Sequence, residues 1–402
     1  MKIGFYGNAN NYPFMLAQAM RRQGHEVKFL VASREPLNRP EFRYSEIKSN
    51  YPDWIVDVSG RRRWHALIPG SIRTKIASEL NACDVAILNE EGPALASDLR
   101  IPYAALLTGS DLEVFANPKN AHMLKPLLIE SPLWLRKLAC LLMPTAAITS
   151  RLTHPQRAGV RMARAVIFMP RGLAPKADAL LAEIGVADEA RIQAMFTDVK
   201  LVPFTPPRNN TILRVFSATR LTWIEGIDSD LTSLDLKGSD VMVRGLDLFT
   251  RSTGRKLDIH LVRKGRHVAQ LEALLASLGL GSQVTWHNEM SQLEVLAQFQ
   301  KADIVMEQLA GSAVGMAGLD ALATGRPVIA NGRPEIFQPL IGEPSPIYQA
   351  KTPEEVCQHL IRLEASPDLR AEIGRAGRSY VERHFSSDSV ARVVLARLGC
   401  PP

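Results

Sequence analysis

The chain has 402 residues, of which 46% are hydrophobic and 22% are charged. This length is too great for one ordinary core and suits two α/β domains of roughly 200 residues each, and the composition excludes a largely disordered chain. A net charge of +7 favours anionic partners such as phosphates, nucleic acid or an acidic membrane face, without choosing among them.

The first half of the sequence alternates between apolar runs and amphipathic stretches. Strands are predicted at residues 2–6, 27–32, 84–88 and 103–107. A helix is predicted at residues 12–23, where Gly24 ends it. We interpret the amino terminus as a strand and not as a signal peptide.

A segment rich in Pro and Asn, residues 202–210, reads as a linker, after which the alternation resumes. The predicted strands are residues 213–217, 258–262, 284–286, 304–306 and 327–330. The predicted helices are residues 241–250, 268–278, 292–301 and 313–324.

Such alternation is typical of a parallel sheet wrapped by helices. We therefore predict two doubly wound, Rossmann-like α/β domains that face each other across a cleft. The first spans residues 1–205 together with a carboxyl-terminal helix in 386–402, and the second spans 211–385. In open parallel sheets, ligands bind beyond the carboxyl ends of the strands, so the loops that follow the strands are the candidate sites.

The most informative motif is the run of small residues at 311–329. Small side chains at a helix start let an anion approach the backbone N–H groups and the positive helix end, as a diphosphate would. Asp320 lies about two turns further on, roughly 12 Å along the axis, a reach that suits ribose hydroxyls. The alternative is a small-residue helix packed on a sheet, with Asp320 in solvent.

Two cations lie between the first predicted strand and the first predicted helix of the second domain. Arg220 follows the first strand of this domain, and Lys237 precedes the helix. Together they could neutralise a leaving diphosphate without a metal. The alternative is that both are ordinary surface cations.

Residues 211–390 resemble the carboxyl half of the large retaining glycosyltransferase family that includes bacterial lipopolysaccharide and polysaccharide sugar transferases, with the GT-B fold. The resemblance rests on these two motifs and on the order of the segments 278–280, 284–286 and 302–305. Residues 380–386 are similar to the element in which such chains cross back to the first domain. The first domain matches through residues 24–27 and 108–111.

The resemblance implies a transfer from a UDP- or GDP-sugar to a saccharide or lipid-linked acceptor in polysaccharide biosynthesis, retaining and without a metal or other cofactor. It implies a catalytic set of Arg220, Lys237 and Asp111. The implied donor-binding residues are Gly7, Asn8, Gly265, Asn288, Ser312, Gly315, Met316 and Asp320. Arg220 and Lys237 would grip the diphosphate, while the backbone of Gly315 and Met316 would offer N–H groups to it.

Ser312 stands where the family has its first acidic residue, which normally contacts hydroxyls of the donor sugar. This departure keeps open the alternative of a non-catalytic relative that binds a nucleotide sugar or a partner enzyme. A second alternative, independent of Ser312, is a sugar-nucleotide epimerase on the same fold. Transfer or hydrolysis of a donor separates the first alternative from an active transferase, and an isomerised donor would support the second.

Acidic residues elsewhere suggest weaker candidates. Asp228 and Asp230 form a D-x-D triplet, which we interpret as a surface turn, with a divalent-metal site as the less favoured reading. Asn89, Glu90 and Glu91 follow a predicted strand and could bind acceptor hydroxyls, although a loop with solvated charges is favoured. After the first strand the chain lacks G-x-G-x-x-G, which argues against a dinucleotide site.

Residues 131–177 contain no acidic residue. The cations of this segment are Arg136, Lys137, Arg151, Arg157, Arg161, Arg164, Arg171 and Lys176. The segment could dock on an anionic membrane or an acidic acceptor, and the alternative is an apolar helix in the core with arginines in solvent. The longest apolar stretch, residues 138–149, is shorter than the 20 or so residues of a membrane span.

The four cysteines, Cys83, Cys140, Cys357 and Cys400, form no C-x-x-C pair and no zinc pattern. This favours reduced thiols and a cytoplasmic protein, and the basic segment 131–177 adds the expectation of peripheral contact with the inner membrane face. The cluster of Arg61, Arg62 and Arg63 has no nucleic-acid motif beside it, so we expect no nucleic-acid partner.

Overall fold

The computed structural model describes residues 1–44, 46–47, 51–59, 70–124, 149–223, 236–310 and 313–399. The chain forms two compact units. The first unit comprises Met1–Met195 and the chain from Ser387 onward, and the second unit comprises Phe196–Ser386.

The first unit is built on a seven-stranded parallel sheet in the order β3-β2-β1-β4-β5-β6-β7. Its strands are β1 Lys2–Tyr6, β2 Glu26–Val31, β3 Ile55–Asp57, β4 Val85–Leu88, β5 Tyr103–Leu106, β6 Ala165–Phe168 and β7 Arg191–Gln193. Its described helices before β7 are α1 Tyr12–Arg22, α2 Pro40–Arg43, α3 Ser71–Asn81, α4 Ser110–Glu113, α5 His154–Met162 and α6 Pro175–Ile184.

The second unit has a six-stranded sheet, also parallel, in the order β10-β9-β8-β11-β12-β13. Its strands are β8 Arg214–Ser217, β9 Asp258–Val262, β10 Val284–His287, β11 Ile304–Met306, β12 Val328–Ala330 and β13 Tyr348–Gln349. Its helices are α7 Ser239–Thr253, α8 Val268–Ser277, α9 Gln292–Lys301, α10 Met316–Thr324, α11 Pro334–Ile341, α12 Pro353–Glu364 and α13 Pro367–His384. Helix α14, Ser387–Leu398, belongs to the first unit.

Local chemistry explains where these helices begin and end. Helix α9 starts with a capping box, in which the Ser291 side chain accepts from the Glu294 N–H and the Glu294 side chain accepts in return from the Ser291 N–H. Gly325 ends α10 in the left-handed conformation with φ +92°, which side chains with a Cβ rarely adopt. Sequence signals of this kind make such elements predictable. The doubly wound α/β prediction is confirmed, because both sheets are parallel and flanked by helices.

The proline-rich segment at 202–210 packs with the second unit. The Thr205 N–H donates to the Thr324 carbonyl over 3.0 Å, and the buried Arg326 guanidinium donates to the Thr205 carbonyl over 2.7 Å. The division between the units falls after Met195, ten residues before the end of the first domain that the sequence predicts at residue 205. The expected functional domain limits themselves stay a prediction.

Two further features bear on the sequence analysis. No helix in the described parts of the chain has both the length and the apolar character that crossing a membrane requires. Cys83 and Cys357 are buried free thiols.

Candidate functional site

The carboxyl edge of the second sheet gathers the candidate residues of that unit. Strands β8 and β11 lie side by side at the point where the strand order reverses, which is where ligands bind in open parallel sheets. The loop after β8 carries Arg220, and Glu307 directly follows β11.

Arg220 and Lys237 lie on segments that are joined to each other. The Lys237 N–H donates to the Thr222 carbonyl over 2.7 Å, so the residue before α7 is tied to the loop after β8. Arg220 is exposed, and Lys237 is half-buried, with its ammonium donating to Gln308 Oε1 over 2.8 Å. The cations that the sequence pairs are thus held on two hydrogen-bonded segments.

Gly265 lies in the loop after β9 and allows this loop to pack against the loop after β8. Its φ is +117°, and a Cβ at this position would lie 2.6 Å from the Leu221 nitrogen, so a side chain would push the loops apart. The Leu221 N–H donates to the Lys264 carbonyl over 2.6 Å, and the His267 N–H donates to the Leu221 carbonyl over 2.9 Å. Gly265 therefore acts here through close backbone packing.

The amino-terminal end of α10 differs from the sequence prediction, because the helix begins at Met316 and not at Ala313. The Val314 N–H donates to the Asn331 carbonyl over 3.0 Å, which holds the preceding residues out of the helix. The Gly315 N–H, expected to be available to a diphosphate, donates to the Glu307 carboxylate over 2.9 Å. Met316 is half-buried at the first helical position.

Glu307 was missed by the sequence analysis. Its side chain is buried, and burial raises the pKa of its carboxyl group while the Gly315 and Gln308 donors and the nearby Lys237 charge oppose that rise. The available signal was an acidic residue directly after the apolar run 304–306, at the edge where a parallel sheet binds ligands.

Asp320 lies inside the second unit and not in solvent, so the alternative of a solvated side chain is wrong. It is 1% exposed and accepts hydrogen bonds from the Thr197 hydroxyl and the Gln292 amide.

Asn288 is exposed directly after β10, and the Arg263 N–H donates to the neighbouring His287 carbonyl over 2.8 Å.

In the first unit, Gly7 and Asn8 lie at the junction of β1 and β4. Gly7 has φ +83°, and a Cβ there would lie 2.6 Å from the Asn89 carbonyl oxygen. Asn8 is fully buried: its side chain accepts from the Phe14 N–H over 3.1 Å and donates to the Asn38 carbonyl over 2.9 Å. In this conformation both residues organise the loop.

Glu90 and Glu91 are buried, which corrects the interpretation of a loop with solvated charges. Glu90 accepts from the Asn8 N–H over 3.1 Å, and Glu91 accepts from the Tyr6 hydroxyl over 2.8 Å. The second oxygen of Glu91 has no hydrogen-bond partner among the described residues. Asn89 joins this network through the Ala9 N–H, which donates to its side chain over 2.7 Å.

Asp111 is buried beneath the loop after β5. Its carboxylate accepts from the N–H groups of Thr108, Gly109 and Leu112 at 2.8 to 3.0 Å, and from the Asn89 amide at 3.0 Å. Burial raises the pKa of Asp111 to about 6, although these donors favour the charged form. The side chain fixes the loop from below and offers no exposed surface to a ligand.

Some candidates lie outside the described residues: Ser312, the triplet with Asp228 and Asp230, the cluster at 61–63, and most of the amino-terminal part of the 131–177 segment. Within the described ranges, no group of three His, Cys, Asp or Glu side chains is arranged to hold a metal ion.

Arg157 and Arg171, two of the described cations of the 131–177 segment, form ion pairs with acidic residues that follow it in the sequence. Arg157 pairs with Glu183, and Arg171 pairs with Asp188. Part of the segment's charge is therefore neutralised within the first unit.

Comparison with known proteins gives a family match within the second unit. Residues 234–380 match the family described as glycosyl transferases group 1. No curated protein sequence matches the chain.

Solved structures with the same fold extend over nearly the whole chain. HepE from Anabaena, solved with UDP and glucose, is 13% identical, with a TM-score of 0.61 over 99% of both chains. Sucrose-phosphate synthase from Thermosynechococcus elongatus is 14% identical, with a TM-score of 0.56 over 99% of this chain and 98% of that one. The lipopolysaccharide outer core galactosyltransferase WaaB, in its apo form, is 13% identical, with a TM-score of 0.53 over 99% of both chains.

At such low identity these likenesses establish the fold, while the family match is confined to residues 234–380 of the second unit. Residues 234–380 therefore match the glycosyl transferases of group 1, and the chain as a whole has the GT-B fold of solved glycosyltransferases.

Proposed function

We propose that this enzyme transfers a sugar from a UDP- or GDP-linked donor to a saccharide or lipid-linked acceptor, with retention of configuration and without a metal, in polysaccharide biosynthesis. The second unit binds the donor. HepE, a structure with the same fold, has been solved with UDP-glucose, which supports a nucleotide sugar as donor.

The observation that carries the proposal is the pairing of Arg220 and Lys237 on hydrogen-bonded segments at the switch point of the second sheet. A diphosphate leaving group gains negative charge as the bond to the sugar breaks. Fixed cations that meet this charge stabilise the transition state more than the ground state, which accelerates the reaction.

In the proposed reaction, the bond between the anomeric carbon and the diphosphate breaks, and the acceptor oxygen bonds to that carbon on the same face. The acceptor proton passes to the departing phosphate oxygen. Arg220 and Lys237 hold the diphosphate during this step, so neither a bound metal nor a carboxylate nucleophile is invoked.

The remaining donor contacts are proposed for residues of the second unit that the resemblance implies. Asn288, exposed after β10, is proposed to border the nucleobase. Asp320 is proposed to bind ribose hydroxyls, which requires that Thr197 or Gln292 move aside, because the Asp320 side chain is buried. Ser312 is proposed to face the donor sugar, with Gly315 and Met316 near the diphosphate.

For the first unit we propose acceptor binding along the carboxyl edge of its sheet. The buried network of Asn8, Glu90 and Asp111 shapes that edge, and Gly7 allows a close approach of the backbone. Because Asp111 is buried and fully hydrogen-bonded, its contribution to catalysis is proposed to be the positioning of the loop after β5.

The test is a panel of UDP- and GDP-sugars with the whole protein, read first as thermal stabilisation. A ligand that binds only the folded state stabilises it by RT ln(1 + [L]/Kd), so a true donor stands out from the panel. The stabilising donor is then incubated with candidate acceptors. Recovery of a glycosylated acceptor with the donor's anomeric configuration supports the proposal, whereas recovery of an isomerised donor with no transfer contradicts it.

A further inference from the structure

A row of three polar side chains links Lys237 to the start of α10. The Lys237 ammonium donates to Gln308 Oε1 over 2.8 Å, and Gln308 Nε2 donates to Glu307 Oε1 over 3.1 Å. The other oxygen of Glu307 accepts from the Gly315 N–H over 2.9 Å. The row thus runs from a cation through an amide to a buried acid.

We propose that Gln308 is a positioning residue for Lys237, and that Glu307 fixes the orientation of the Gln308 amide. This inference rests on the proposed function, in which Lys237 binds the donor diphosphate. Neither Gln308 nor Glu307 contacts the donor in this proposal, since both act through Lys237.

The polarity of the row permits one arrangement of the amide. An ammonium group only donates, a carboxylate only accepts, and the Gln308 amide has one end of each kind. If the amide flipped, its NH2 group would face the Lys237 ammonium, and its carbonyl would face the Glu307 carboxylate. Both contacts would be repulsive, so Glu307 selects the orientation in which Gln308 presents an acceptor to Lys237.

The backbone segments that carry these side chains also pack against each other. The Leu309 N–H donates to the Lys237 carbonyl over 3.0 Å, so the Lys237 main chain and side chain are both held by the segment after β11. A Cβ at Gly238 would lie 2.9 Å from the Ala310 nitrogen. A Cβ at Gly315 would lie 2.9 Å from Gln308 Nε2, so glycine there leaves room for the amide.

Lysine has a long and flexible side chain, and an unheld ammonium would spend part of its time away from the diphosphate. Holding the ammonium before the donor arrives reduces the entropy lost on binding. The expected signature is a loss of affinity for the diphosphate part of a ligand, with the affinity for the nucleoside part unchanged.

The experiment compares UDP with uridine, and GDP with guanosine, by calorimetric titration of the full chain. The variants are Gln308→Met, Lys237→Met and the double variant, with Gln283→Met as the matched control. Gln283 accepts from the Leu257 N–H over 2.7 Å at the opposite edge of the sheet, so its loss removes a glutamine contact without touching the row.

We expect Lys237→Met to weaken diphosphate binding about 10-fold or more and Gln308→Met to weaken it by about 3- to 10-fold, with nucleoside binding unchanged in both. The double variant should match Lys237→Met, because Gln308 has no effect once the lysine is gone. Additive losses in the double variant would overturn the proposal, as would a Gln308→Met variant that discriminates UDP from uridine like the wild type.

Glu307→Gln provides a second route if Gln308→Met does not fold. The new amide would satisfy Gly315 with its carbonyl and turn its NH2 toward Gln308, so Gln308 would flip and repel Lys237. We expect the same loss of phosphate-specific affinity, and an unchanged affinity would overturn the proposal. If the wild type itself binds UDP and GDP no better than their nucleosides, the proposed function fails, which is a different outcome from failure of the row.

Discussion

The Lys237 N–H donates to the Thr222 carbonyl over 2.7 Å, so the segment that carries Lys237 is fixed to the loop that carries Arg220. The two side chains differ in burial, since Arg220 is exposed and Lys237 is half-buried. Neither is part of the hydrophobic core of the second unit, so each can be removed with little effect on folding.

We predict that Arg220→Ala and Lys237→Ala each reduce turnover by on the order of 2–4 kcal/mol of transition-state stabilisation. The melting temperature should fall little, and least for the exposed Arg220. Steady-state turnover and thermal unfolding measure the two effects. Arg255→Ala is the control, because it removes an exposed cation just before β9, at the amino-terminal edge of the same sheet. Turnover near the wild-type value in both variants would remove these cations from the site.

Activity is expected to survive chelation of divalent metals. The reason is that Arg220 and Lys237 supply the positive charge that a metal would otherwise bring to the diphosphate. Turnover is measured before and after treatment with EDTA, and after magnesium or manganese is added back. A loss that either metal reverses would make Asp228 and Asp230 the leading candidates for a metal site, and Asp228→Asn with Asp230→Asn would then test them.

Asp111→Asn should destabilise the first unit. At pH 8 the carboxyl group is ionised, because its pKa is raised only to about 6. Both of its oxygens accept hydrogen bonds, from Thr108 N–H at 2.8 Å and from Gly109 N–H at 2.9 Å, so an amide would turn an NH2 group toward donors. Leaving buried donors unpaired costs about 1–3 kcal/mol, which a urea titration at pH 8 measures. An unchanged midpoint would mean that the carboxylate does not hold this loop.

The stability of the second unit should fall in mild acid because of a pair of histidines, of which His260 is buried and His287 is half-buried. His260 Nδ1 lies 2.8 Å from His287 Nε2, and His260 also bonds to Asp258 over 2.9 Å. Burial lowers the pKa of both histidines, and the positive charges of Arg214 and Lys301 act in the same direction, while Asp258 opposes the shift in His260. A lowered folded-state pKa means that the contribution to stability is complete above about pH 6.5 and is lost as the pH falls below that value.

We therefore predict that the free energy of unfolding falls between pH 7 and 5.5, and falls less in His287→Gln. The substituted amide keeps an N–H for His260 Nδ1 and does not titrate in this range. His122→Gln, an exposed histidine of the first unit, is the control and should follow the wild type. Equal pH dependence in wild type and His287→Gln would contradict the assignment.

The sequence predicts the elements of this fold well because their signals are local. Strand β9, helix α9 and strand β11 have the predicted bounds, since each combines a periodic or continuous apolar pattern with polar neighbours. The start of α10 was predicted three residues too early, at Ala313. What delays it are contacts from distant positions, the Asn331 carbonyl and the Glu307 carboxylate, which no local pattern encodes.

The same limit applies to the candidate sites. The sequence places Arg220 and Lys237 between the first strand and the first helix of the second unit, at the carboxyl edge of the sheet, where ligands bind. It does not reveal that Asp111, Glu90 and Glu91 are buried, since acidic residues in a loop are normally solvated. Their burial depends on donors that the loop after β1 and their own backbone supply only in the folded first unit.

The final prediction concerns the acceptor side of the enzyme. We propose that residues 131–177 bring the first unit to an anionic membrane surface, where a lipid-linked saccharide would be available. Each Lys or Arg near such a surface contributes about 1 kcal/mol. Arg157 and Arg171 are already paired with Glu183 and Asp188, so the attraction should be weaker than a simple count of cations suggests.

Co-sedimentation with vesicles should therefore show binding to anionic lipids at low salt that is largely lost at about 0.15 M ionic strength, because salt screens exposed charges. Neutral vesicles are the control for apolar insertion. Arg136→Ser with Lys137→Ser should reduce the binding, whereas Arg255→Ser, in the second unit, should not. Equal and negligible binding to both lipid types at low salt would contradict membrane docking, and a soluble acceptor would then be the better hypothesis.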